Sequence, residues 1–231
     1  MKADPLFDEW RAYQKMLEHD HMYHRAFFGR LQLEIQRRFR EQLDILDLGC
    51  GDVSPIRPLL ETLPVHQYFG IDQSETALSH AEVRLSSLDI QYRLHAGDLC
   101  ETLQSVNEGF DIVVASFSLH HLETARAKQQ VLADCRRVLK PAGMVAVIDV
   151  FKTEGEERES YLSRWVDFAK KSYLSLDPAE VASLVEHVHA NDFPETLSTY
   201  QSISRAAGFD NFTVLMQDKE KFNHLVTLTT G

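Results

Sequence analysis

"LDILDLGCGDVS" (residues 43–54) runs from an apolar alternation straight into two glycines spaced one residue apart. The alternation is that of a strand. The glycines allow backbone conformations and close approaches that a Cβ forbids. Taken alone, the pair serves equally as a tight turn or as a loop that lets a ligand reach the backbone. The segments that follow narrow this choice.

"HQYFGID" (66–72), "IQYRLHAGD" (90–98), "FDIVVASF" (110–117) and "MVAVIDVF" (144–151) repeat the strand signature. The run at 110–117 is apolar and β-branched enough for a strand buried on both faces. Helical patterns lie between them, at 74–87, in "LCETLQSV" and at 123–139, the last stopped by Pro141 and Gly143. "SPIRPLLETL" (54–63) suggests a helix with Ser54 as cap and Pro55 near its start, kept short by Pro58. Strands alternating with helices predict right-handed crossovers and a doubly wound, Rossmann-like α/β sheet.

Residues 1–40 read as helical, with Trp10, Tyr13, Met16 and Leu17 on one face and Phe27, Leu31 and Ile35 on another. After Phe151 come helices at 155–173, at 178–190 behind the "DPAE" cap, and at 194–207. "NFTVLMQ" and "FNHLVTLTT", joined by "DKEK", predict a terminal antiparallel hairpin. The expectation is a single domain over 1–231. It has a helical cap at 1–40, a core at 41–151, a helical insertion at 152–193, and a closing helix and hairpin at 194–231.

Composition excludes several classes. With 44% apolar and 26% charged residues the chain reads as globular. No apolar run approaches the ~20 residues of a membrane span, and "MKADPLFDEW" lacks a signal-peptide core. A cytoplasmic protein without a membrane partner is expected, as monomer or homodimer. The net charge of −11 argues against nucleic acid. The basic stretch "RLQLEIQRRFR" (30–40) has the spacing of an amphipathic helix that turns its arginines to solvent. Cys50, Cys100 and Cys135 form no CxxC pair, against a disulfide framework or zinc–thiolate site. His19/His21/His24 and His187/His189 have spacings open to a chelate, but without thiolates no metal is expected.

The acids are more informative. Asp72 ends the second strand 21 residues after Gly51, which suits a carboxylate accepting from a ribose diol. The dinucleotide fingerprint asks for a third glycine where Ser54 stands. Asp47, at the end of the first strand, would repel a pyrophosphate and attract an ammonium or sulfonium. Asp98 follows the third strand in "AGDL", placed to accept from an adenine amine. Helix capping is the alternative use of each acid. A cofactor with a ribose and a positive charge, but no phosphate, fits best.

"DLGCG" (47–51), "GIDQS" (70–74), "AGDL" (96–99), "FDIVVASFSLHHL" (110–122) and "VLKPAGMVAVID" (138–149) occur in this order over about residues 44–150. In this the chain resembles the class I S-adenosylmethionine-dependent methyltransferases. Val53 departs from the small residue often found there. The resemblance implies S-adenosyl-L-methionine as cofactor. Gly49 and Gly51 would line its methionine part and Asp47 would lie near its ammonium. Asp72 would hold the ribose, Gln73 would border the adenine, and Asp98 would bond the adenine amine with Leu99 beside it. Ser116 and Phe117 would flank the cofactor next to the acceptor.

A protonated acceptor requires a base. His120 and His121, just past the fourth strand, are the candidates, although packed histidines opening the next helix explain them as well. In "HDHMYHRAFF" (19–28), Tyr23 and His24 are candidates for the acceptor side and Arg25 for the cofactor carboxylate. Tyr161, Trp165, Phe168 and Tyr173 would either roof an apolar pocket, with Trp165 touching substrate, or form a small helical core. The expected activity is methyl transfer to a small molecule. The alternatives are a protein or tRNA methyltransferase, or a non-catalytic cofactor-binding subunit.

Overall fold

The computed structural model describes residues 5–231, with side chains from Ala12 onward, so the side chain of Trp10 lies outside the described residues. The strands are β1 (Leu43–Leu48), β2 (Val65–Asp72), β3 (Gln91–Ala96), β4 (Phe110–Ser116), β5 (Leu139–Val150), β6 (Asn211–Gln217) and β7 (Asn223–Thr229). They form one sheet in the order β3-β2-β1-β4-β5-β7-β6. The first five run parallel, whereas β7 is antiparallel to β5 and to β6.

The strand period of two divides the core. Ile45, Tyr68, Ile112 and Ala146 pack on one face against α2 (His24–Arg38), α3 (Arg57–Thr62) and α4 (Glu75–Leu85). Leu46, Phe69, Val113 and Val145 pack on the other, against α5 (Leu99–Ser105), α6 (Ala125–Val138) and α9 (Leu197–Ala206). Both faces are thus covered, the condition for a parallel sheet. No helix among the described residues is long and apolar enough to cross a membrane.

A third cluster gathers Met16 of α1 (Pro5–Glu18) with Tyr161 and Trp165 of α7 (Arg158–Ser172) and Val188 of α8 (Pro178–Asn191), beside Val150 and Phe222. Lys15 Nζ reaches Glu180 at 2.7 Å and His21 Nε2 meets Ser175 Oγ at 2.6 Å. α1 and the insertion therefore form one cap, whereas α2, read in the sequence as part of the cap, belongs to the core.

Local differences from the sequence reading have local causes. The expected helix at 1–40 breaks at 19–23, where Asp20 (φ 52°) and Tyr23 (φ 59°) take left-handed conformations. Ser54 caps no helix: its amide and hydroxyl both donate to Asp52 Oδ1, at 3.0 and 2.6 Å. Ile56 occupies the cap position, and Pro58 falls in the first turn, where an N–H has no intrahelical acceptor. Pro141 and Gly143 lie in the bulged beginning of β5, which starts at Leu139 directly after α6.

Glu180, buried in α8, also accepts the Asp177 amide at 2.9 Å in a capping box. Glu180→Ala removes this bond and the Lys15 pair together and is expected to cost about 2 kcal/mol. Urea denaturation checks this; unchanged stability would mean that cap and core are not joined through this contact.

Candidate functional site

The sheet order reverses between β1 and β4, the place where ligands enter open α/β sheets. Gly49 leaves β1 with φ 74°, and a Cβ there would lie 2.6 Å from Ser118 Cβ. Both the left-handed backbone and the neighbouring chain therefore require glycine. The amides of Gly49 and Cys50 donate to Ile71 O at 2.8 and 3.0 Å, which ties the loop to the end of β2. Asp72 completes the clamp: Oδ2 accepts the Gly51 amide at 2.8 Å and Oδ1 the Ser74 amide at 2.8 Å. Val53, buried and β-branched, takes φ 57°, a strained conformation of order 1–3 kcal/mol held by its packing in the core.

Asp47 is buried under this loop and accepts from Tyr68 Oη at 2.8 Å through Oδ2, while its Oδ1 has no hydrogen-bond partner. Burial pushes its carboxyl up to about 7, helped by the charge of Asp72 and opposed by the Tyr68 hydrogen bond. Asp98 divides its two oxygens. Oδ1 caps α5 through the amides of Cys100 and Glu101, at 2.8 and 3.0 Å, and Oδ2 accepts from Gln73 Nε2 at 3.1 Å. Leu99 opens α5 beside it, half-buried. Asp47 and Asp72 thus end β1 and β2, and Asp98 follows β3.

At the end of β4, Ser116 Oγ is buried without a partner. Phe117 takes φ 51° and meets the His24 ring edge-on at 4.9 Å. His24 is buried, its Nδ1 has no partner, and burial lowers its pKa to about 4 against the pull of Asp52. Its ring is therefore neutral at pH 7.

Tyr13 is the site residue that the sequence reading did not single out. Its hydroxyl lies 3.7 Å from where a Gly51 Cβ would stand, so α1 roofs the glycine loop. Burial, then the charges of Asp52, Asp72 and Asp47, raise its pKa. Only its place on an apolar helical face was visible in sequence, and that face is equally one of ordinary packing.

Other candidates are placed differently. Tyr23 donates to Glu220 Oε2 at 2.9 Å, at the β6–β7 turn, so its ring is held by the hairpin rather than laid over the loop. Arg25 is exposed, its guanidinium on Glu18 O at 3.1 Å. Arg25 lines a cavity of about 570 Å³ with His24, Asp52, Ser54 and Arg84, a cavity to which Asp72 and Asp98 do not contribute. Trp165 is 6% exposed and packs at 80° to Tyr173, 6.1 Å between centroids. With Tyr161 and Tyr173 also buried, the aromatic residues of α7 form a helical core, and Trp165 has little surface for a substrate.

His120 and His121 bond to β5 and to the end of α8. His120 Nδ1 bonds Asp149 Oδ1 at 2.5 Å and its Nε2 lies 3.5 Å from Asp192 Oδ1. His121 Nδ1 lies 3.2 Å from Asn191 O, and its ring meets that of His187. Among the described residues, neither has a polar contact with Asp47, Asp72 or Ser116; their polar contacts run to Asp149, Asn191 and Asp192. His19 and His21 stack at 5.7 Å, apart from His24.

Comparison with known proteins agrees with this architecture. Residues 45–143 match the family model described as "Methyltransferase domain". A demethylmenaquinone methyltransferase from Leptospira interrogans is 29% identical over 150 residues, 64% of this chain and 56% of that protein. The chain thus spans little more than half the length of that curated relative. Among solved structures, an S-adenosylmethionine-dependent methyltransferase from Clostridium acetobutylicum superposes with a TM-score of 0.67 over 98% of this chain and 99% of its own, at 10% identity. The plantazolicin methyltransferase BpumL in complex with SAH gives 0.66 over 95% of this chain and 88% of its own, at 15% identity. These two likenesses concern the fold. The family match over residues 45–143 and the Leptospira relative make this part of the chain similar to methyltransferase domains, and the two structures share its fold.

Proposed function

We propose that the chain transfers a methyl group from S-adenosylmethionine to a small-molecule acceptor. The observation that carries this reading is the row of Asp47, Asp72 and Asp98 along one sheet edge, around a glycine loop clamped by one of them. The residues fit the cofactor's chemistry. Gly49 and Gly51 make a cradle without Cβ atoms, and Asp47 Oδ1 and Ser116 Oγ are buried polar atoms without partners.

When bound, S-adenosylmethionine supplies an activated methyl for in-line displacement. Asp47, once ionised, takes the ammonium. Asp72 retains lone pairs beyond its two amide bonds and accepts from the ribose hydroxyls. Asp98 Oδ2, exchanging Gln73 for the adenine amine, sets the far end, with Gln73 and Leu99 bordering the base. Tyr13 and Phe117 keep water from the reacting centre, and Ser116 fixes the acceptor side. His24, neutral and against Phe117, forms the acceptor wall.

Three features support a small acceptor. The chain carries −11 net charge, unlike a nucleic-acid binder. Tyr13 of α1, the cap helix packed against α7 and α8, stands over Gly51 and narrows access to the loop. The Leptospira relative is named for demethylmenaquinone, a small molecule.

With methyl-labelled S-adenosylmethionine and fractionated cell extract, label is expected in small products; label in protein or tRNA would overturn the acceptor class. Asp72→Asn is expected to weaken S-adenosylhomocysteine binding about 10- to 100-fold by calorimetry, through lost charged hydrogen bonds. Unchanged affinity would remove Asp72 from the ribose site. Because Asp47 must lose its proton to meet an ammonium, affinity is expected to rise as pH passes from 6 to 8, and Asp47→Asn to flatten that rise. A flat profile in the unaltered chain would contradict the pairing.

A further inference from the structure

His120, His121 and Asp192 find no use in the cofactor site, yet their donor atoms lie within 4.8 Å of one another. We propose that they bind one divalent transition-metal ion of the zinc class, which fastens the helical insertion to the core. His120 and His121 lie on the short turn Leu119–His121 after β4, and Asp192 is the C-cap of α8.

Distances favour coordination over an ordinary ion pair. His120 Nε2 and His121 Nδ1 lie 3.5 and 3.8 Å from Asp192 Oδ1. Two ligands of a tetrahedral zinc at bond lengths of ~2.0–2.1 Å stand about 3.3 Å apart. Asp192 is 5% exposed, and its Oδ1 has no hydrogen-bond partner, although a buried carboxylate oxygen ordinarily finds one. It is aimed at the two imidazoles.

The surroundings are built to hold these groups. Asp149, 1% exposed, accepts from His120 Nδ1 through Oδ1 and from the His120 amide through Oδ2 at 3.0 Å. This fixes the tautomer and leaves Nε2 as the ligand atom, the carboxylate–histidine–metal arrangement of known sites. The two ligand-bearing segments are also laced together. Phe193 N donates to His120 O at 2.8 Å, and the buried Lys128 ammonium donates to both Leu122 O and Phe193 O. Arg158 holds Asp192 O at 2.7 Å.

Two imidazoles and one carboxylate suit zinc-class ions, whereas calcium and magnesium prefer oxygen donors. His121, with its side chain 42% exposed, marks the solvent side, where a water would complete the tetrahedron. On binding, His121 Nδ1 gives up its bond to Asn191 O: the proton of the neutral ring leaves Nδ1, Nε2 takes one from solvent, and the freed Nδ1 lone pair goes to the metal. His120, where protonated, releases its Nε2 proton to solvent.

The test titrates the metal-stripped full chain with Zn²⁺ and with Co²⁺. One equivalent is expected to bind, with the visible absorption of tetrahedral Co²⁺ and a rise in Tm. His121→Ala, at a partly exposed position, and Asp192→Asn are each expected to weaken binding at least about tenfold and to abolish the Tm rise. Failure to bind either ion would overturn the proposal. So would equal affinity in both variants, which would place the ion at other histidines. S-adenosylhomocysteine binding is measured alongside, so that failure of the metal site and failure of the cofactor reading are distinguishable.

Discussion

The carboxylate of Asp72 accepts the Gly51 amide through one oxygen and the Ser74 amide through the other. It thereby joins the loop after β1 to the cap of α4 across two parallel strands. Without this bridge the loop would keep its glycines but not its position, because φ 74° and 54° are conformations that glycine only permits. Asp72 also remains half-exposed at the carboxyl edge of the sheet, so the group that shapes the loop keeps surface of its own. The strain at Val53 belongs to the same design: a buried core contact holds a left-handed valine where glycine would have been free.

The cap depends on a different interaction. Lys15 and Glu180 join α1 to α8 at 2.7 Å, and Tyr13, two residues before Lys15, is thereby set over the glycines. The insertion is in turn anchored to the core by the Phe193–His120 and Lys128–Phe193 bonds. A cation at His120, His121 and Asp192 would tighten this second anchor. The glycine loop and the His120–His121–Asp192 cluster are thus separate places on one scaffold, linked through α1, which roofs the first, and α8, which ends at the second.

The sheet was legible in the sequence because its central strands are buried on both faces and read as continuous apolar runs. β4 shows this most clearly, from Phe110 to Ser116. The placement of Asp47, Asp72 and Asp98 was legible because each stands at or just past a strand end, where topology alone puts it at the carboxyl edge of the sheet. What was hidden depends on contacts remote in sequence. The break at 19–23 is stabilised by Tyr23 reaching Glu220 on the terminal hairpin. The orientation of His120 and His121 is set by Asp149 and Asp192, which belong to β5 and to the end of α8. Tyr13 and Trp165 looked alike as aromatics on helical faces, and only packing separates one over the glycine loop from one in the cap core.

The central claim is that the glycine loop and its acids take a nucleoside cofactor without a pyrophosphate. It is tested most directly by following the backbone amide signals of Gly49, Gly51 and Ser74 while the chain is titrated with S-adenosylhomocysteine and, separately, with NAD. The account expects these signals to shift with S-adenosylhomocysteine and to stay in place with NAD. A shift with NAD, or no shift with S-adenosylhomocysteine at saturating concentration, would contradict it.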